Sequence, residues 1–69
     1  MEDRARAHTL RKSATSADAF TAALDAEEIS HSVRRERVGV GGGEHRTRID
    51  VRVRYAGGWE SCKPFYEPA

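Results

Sequence analysis

The sequence predicts a small α+β domain in which one helix packs on an antiparallel sheet, in the order β-α-β-β with a possible fourth C-terminal strand. Three observations carry that expectation. An alanine-rich stretch at 15–28 has helical spacing, residues 48–55 alternate between charged and apolar, and a glycine-rich run separates that segment from a second strand-like stretch at 29–38.

Length bounds the rest. At 69 residues the chain forms a single domain, 1–69, with a thin core. Cys62 is the only cysteine, so no internal disulfide forms, a secreted disulfide scaffold is excluded, and a cytoplasmic setting is expected. The first residues are polar, and no stretch approaches the roughly 18 apolar residues of a membrane span; neither export nor a membrane partner is expected. Only 38% of residues are hydrophobic and 33% are charged, so packing help from a partner or from a second copy, as a homodimer, fits the composition.

The helix comes first in strength of signal. Thr15 or Ser16 caps its first free amides, Asp18 lies in the favourable first turn, and alanines supply propensity. Ala17, Phe20 and Leu24 form one apolar stripe, with Ala23 beside them, for contact with a sheet.

Two strands follow, at 29–38 and 46–55. A hairpin centred near Gly42 pairs Ile29 with Tyr55, His31 with Val53, Val33 with Val51 and Arg35 with Ile49 on an inner face. The same register sets Ser30 against Arg54, Ser32 against Arg52, Arg34 against Asp50 and Glu36 against Arg48 on an outer face. Apolar residues meet apolar ones and opposite charges meet, and a one-residue slip would turn the apolar set outward.

Beyond the hairpin, a turn through Ala56-Gly57-Gly58 leads into a short strand from Trp59 to Lys63. A three-residue loop would set Trp59 by Tyr55; a two-residue Gly57-Gly58 turn would put Cys62 on the core side. Pro64 and Pro68 are expected to end regular pairing, leaving Phe65 and Tyr66 as an aromatic tail that closes the core or anchors a partner. At the other end, residues 6–13 read as an edge strand with Leu10 inward, the competing reading being a helical turn or two over 2–12.

No catalytic residue, cofactor site or metal site is expected. His8, His31 and His45 have no ligand spacing among themselves or with Cys62. Cys62 lacks a flanking pattern to position a base and reads as a small core hydrophobe. The 39–43 glycine run resembles a phosphate-binding loop only superficially, because a strand rather than a helix follows and the lysine is absent.

The arginines are the constellation with most chemistry. Acidic residues gather in the helical stretch (Asp18, Asp25, Glu27, Glu28), while Arg34, Arg35, Arg37, Arg46, Arg48, Arg52 and Arg54 fall in the next segment, which suggests one basic surface despite a net charge of +1. Arg48, Arg52 and Arg54 share one side of a strand with Arg34 beside them and Trp59 close by, a candidate partner-binding set: guanidinium groups take phosphate or carboxylate bidentately, and tryptophan stacks on a base or anchors an interface. The plainer reading is a solvated sheet face. Asp50 and Glu36 neutralise part of it, and no interleaved aromatic platform is expected.

A short arginine-rich chain in which Thr9-Leu10-Arg11-Lys12-Ser13 forms a strand running into Thr15-Ser16-Ala17-Asp18-Ala19, a brief helix and a hairpin resembles the small anti-CRISPR proteins of phages and mobile elements. The resemblance covers residues 7–55 as a pattern of size and topology and carries over no functional residue. It implies a stoichiometric inhibitor of a protein complex that handles nucleic acid, such as a CRISPR effector complex, blocking its DNA site or its recruitment of a nuclease. A protein that binds nucleic acid directly is the alternative.

Overall fold

Ser16 opens the predicted helix: its side-chain oxygen accepts from the Ala19 amide at 3.1 Å, satisfying one of the free donors of the first turn. In the computed structural model, which describes residues 3–39, 41–43 and 45–68, this helix spans Ala17–Ala26. Its stripe of Ala17, Phe20 and Leu24 is fully buried. It ends on Glu28, which adopts φ 57, while the Ile29 amide reaches back to the Leu24 carbonyl at 2.9 Å. This is a left-handed helix stop of the kind usually made by glycine. It tucks Ile29 into the core and delays the first strand to His31.

A second helix precedes this one, so the edge strand expected at 6–13 is not formed. Helix α1 spans Asp3–Ser13 and α2 Ala17–Ala26. The physical reason is a weak apolar stripe at helical spacing, Ala7, Leu10 and, just past the helix, Ala14, of which Ala7 is buried and the other two pack partly against the core. Asp3 in the first turn and Arg11 and Lys12 in the last suit the helix dipole. The anti-CRISPR resemblance leaned on a strand at 9–13, and that stretch is helical.

The chain is α+β, with four antiparallel strands: β1 His31–Gly39, β2 His45–Tyr55, β3 Gly58–Ser61 and β4 Phe65–Pro68. The hairpin has the anticipated register, with His31 opposite Val53, Val33 opposite Val51, Arg34 opposite Asp50 and Glu36 opposite Arg48. Pairing begins at His31 rather than Ile29, although the Arg54 amide still reaches the Ser30 carbonyl at 2.9 Å. A 3-10 turn at Gly41–Gly43 forms the tip; Val40 and Glu44 of the anticipated turn lie outside the described residues.

Neither anticipated form of the next turn occurs. Tyr55 pairs with Gly58 and Arg54 with Trp59, so the two loop residues are Ala56 and Gly57. A side chain at 57 would displace the Tyr55 ring, since a Cβ would lie 2.6 Å from its Cε2, and Gly58 leaves the turn at φ 132, a conformation side chains rarely tolerate. Cys62 is nonetheless on the core side.

Pairing does not stop at Pro64. Ile49 pairs with Phe65, Arg48 with Tyr66 and Arg46 with Pro68, so β3 and β4 lie end to end along one edge of β2. Between them the C-terminal segment carries one residue more than β2 opposite, a bulge at 62–64. The bulge absorbs Pro64, and Pro68 sits at the end of an edge strand where its missing N–H is tolerated. Arg11 of α1 closes over the bulge, donating to the carbonyls of Lys63 (2.7 Å) and Pro64 (3.1 Å) with its guanidinium 3.6 Å from the centre of the Phe65 ring.

Both helices lie on one side of the sheet. Their core joins Phe20 and Leu24 to Ile49, Val51, Val53, Cys62 and Phe65, with the two phenylalanine rings 5.8 Å apart. The helices are too short to cover the hairpin: α2, at about 1.5 Å per residue, is roughly 15 Å long, while β2, at about 3.4 Å per residue, runs to roughly 37 Å. The molecule accordingly measures 44 × 21 × 15 Å. Val33, although on the inner face, stays 42% exposed.

Candidate functional site

Strand alternation turns Arg46, Arg48, Asp50, Arg52 and Arg54 of β2 away from the helices. The register adds Ser32, Arg34 and Glu36 from β1, Trp59 and Ser61 from β3, and Tyr66 from β4 to the same surface. All the anticipated partner-binding residues, Arg34, Arg48, Arg52, Arg54 and Trp59, therefore share the outer face of the sheet, and among the described residues no helix or loop covers it.

Charge on this face is uneven. The Nε of Arg48 lies 3.1 Å from both carboxylate oxygens of Asp50. That carboxylate, with smaller contributions from Tyr66 and Glu36, holds the Arg48 guanidinium above the usual arginine value. Arg34 approaches Glu36 at 4.0 Å. Arg52 leans over the Trp59 indole, 5.6 Å from the ring centre, and presents an exposed guanidinium together with Arg54. An open groove of ≈ 580 Å³ runs between β1 and β3, lined by Ser32, Arg34, Arg48, Asp50, Arg52 and Ser61. Such a surface takes anionic oxygens from a partner and offers flat aromatic faces for stacking.

Two contributors were not anticipated as site residues. Tyr66, expected only as part of an aromatic tail that closes the core or anchors a partner, is 51% exposed, much as Trp59 of the anticipated set is; reading Pro64 as the end of pairing hid the fact that an inward Phe65 sends Tyr66 outward. Arg46, opposite Val38, extends the cationic row toward the hairpin tip. The aromatics stand opposite Arg54 and Arg48, six strand positions and so about 20 Å apart. Rings so spaced could reach only separated groups of one extended ligand, not neighbouring ones.

The basic segment does not form one surface, because Arg35 and Arg37 alternate onto the inner face, where Arg35 lies 3.7 Å from Asp18 of α2. The histidines are scattered. His8 lies 2.6 Å from Glu60, His31 lies 3.7 Å from Asp25, and His45 begins β2. Among the described residues no three metal-ligating side chains gather. Cys62 is buried in the core, and that burial pushes its thiol pKa up. No helix among the described residues is long and apolar enough to cross a membrane.

No family model, no curated protein and no solved structure matches the chain.

Proposed function

We propose that the chain is a non-catalytic binding protein whose outer sheet face holds an extended single-stranded nucleic acid along β2. The observation that carries the reading is the joint exposure of Trp59 and Tyr66 on the same face as Arg46, Arg52 and Arg54. Bases splayed from a single strand stack on such rings while arginines track the phosphates. The buried, unpaired Cys62 suits a cytoplasmic setting.

Anisotropy of a labelled oligonucleotide across a salt series tests this. Three or four phosphate contacts imply a log–log slope of roughly −2 to −3 on a single strand. Charge reversal at Arg52 and Arg54 abolishes binding, and Trp59→Ala or Tyr66→Ala each weakens it by about 1–3 kcal/mol. No binding of single strands at micromolar protein, or an unchanged affinity in the double reversal, overturns the reading.

A second reading, an anti-CRISPR-like inhibitor that docks this face on an acidic surface of a nucleic-acid-handling complex, is favoured by Asp50 and Glu36, which interrupt the cation row. In that case the isolated protein binds nucleic acid weakly yet competes with it for the complex.

A further inference from the structure

Strand β1 is paired on one side only: among the described residues it neighbours β2 and nothing else. The Arg54 amide bonds to the Ser30 carbonyl, and antiparallel ladders alternate. Ser32, Arg34, Glu36 and Val38 therefore point their backbone groups into the sheet, while His31, Val33, Arg35 and Arg37 point theirs outward. That leaves a free row of donors and acceptors on an element of nine residues, longer than most edge strands. The row is flanked by Arg34, Arg35 and Arg37, with Glu36 as the lone acid and Val33 as an exposed apolar patch. Among the described residues, Arg35 is held only by Asp18, itself 91% exposed, at 3.7 Å.

We infer that this edge is a second binding site, along the rim of the sheet and sharing Arg34 and Glu36 with the outer face, that takes an extended acidic peptide of a partner protein as an added antiparallel strand. Alternating backbone donors and acceptors match a peptide and not a nucleic acid. Pairing dictates the pattern: reading from the peptide's N-terminus, an acidic residue opposite Arg37, a basic one opposite Glu36, acidic ones opposite Arg35 and Arg34, and an apolar one opposite Val33. A second copy of the chain is a poorer occupant. The two-fold register that sets Arg34 against Glu36 also sets Arg35 against Arg35, like charges directly opposed.

The test uses the full chain and an end-blocked synthetic peptide carrying glutamate, lysine, glutamate, glutamate and valine between serine flanks. Binding is followed by fluorescence and by amide exchange. The peptide is expected to slow exchange at Val33, Arg35 and Arg37 and to leave Arg52 and Trp59 unaffected. Methylating the peptide nitrogens opposite Arg37, Arg35 and Val33 should abolish binding, and the double reversal R35E/R37E should weaken it about tenfold or more, with circular dichroism confirming the fold. Equal binding of the methylated peptide, protection on the outer face instead, a dimer through β1 that excludes the peptide, or no binding at millimolar peptide would each overturn the inference.

Discussion

Among the described residues, Glu60 gathers more of the tertiary structure than any other single carboxylate. It stands opposite Val53 on the helix side of the sheet and accepts from Arg4 at 2.7 Å and from His8 at 2.6 Å. Those two hydrogen bonds, the arginine's first, bring its pKa down to about 2 from an ordinary 4.5. The folded form thus holds the proton less tightly than the unfolded chain, so the stabilisation is complete above pH 4.5 and is lost as pH falls toward 2. Denaturant unfolding of Glu60→Gln and the parent chain should differ most above pH 4.5 and converge near pH 2; a difference that persists at the lowest pH would show that Glu60 acts by packing. Glu27, lowered chiefly by its hydrogen bond from Arg6, titrates in the same direction and sharpens the acid limb. Residue-level chemistry of this kind was hidden in the sequence, since the partners lie 56 and 52 positions apart. The outer-face set Arg34, Arg48, Arg52, Arg54 and Trp59 was legible because strand alternation assigns faces without any long-range information. Tyr66 was not, because its face depends on the bulge.

At the scale of elements, the hairpin could be read to the residue because two independent patterns, apolar on one face and charge on the other, demanded the same register. Helix α1 could not: its one fully buried residue is an alanine, and polar ties hold the rest. The turns were hardest, since Ala56-Gly57-Gly58 permits several loops and only the ring of Tyr55 and the φ of Gly58 decide among them. The junction from α2 to β1 carries a different lesson. Glu28 occupies a left-handed conformation that costs a residue with a Cβ about 1–2 kcal/mol. Glu28→Gly should therefore raise stability by roughly 1 kcal/mol, read as a higher denaturant midpoint at constant slope. A loss of stability would mean that the Glu28 side chain compensates the strain.

The whole molecule is a long hairpin edged by β3 and β4, with its core toward one end. Its radius of gyration is 12.9 Å, against about 11 Å for a compact chain of this length, because the hairpin overhangs the helices. Both proposed binding surfaces run out onto that overhang, the outer face through Arg46 and the free edge through Arg37. What holds the covered end together is unusual in its balance. Besides Ala7 in the core and Leu10 packed against it, helix α1 meets the rest through Arg4 and His8 on Glu60, a two-pronged Arg6–Glu27 pair at 2.6 and 2.7 Å, and Arg11 on the bulge carbonyls. These polar contacts are mostly solvent-exposed, and at 1 M salt the screening length shrinks to about 3 Å. Salt that weakens these exposed ties is expected to loosen α1 before α2 and the sheet unfold. Cys62 sits between Glu60 and Lys63, both of which α1 grips, so its thiol reports that loosening. Labelling of Cys62 by a thiol reagent should accelerate with salt, well below denaturing conditions and with no loss of sheet signal; labelling that tracks global unfolding alone would show that the clasp and the core come apart together.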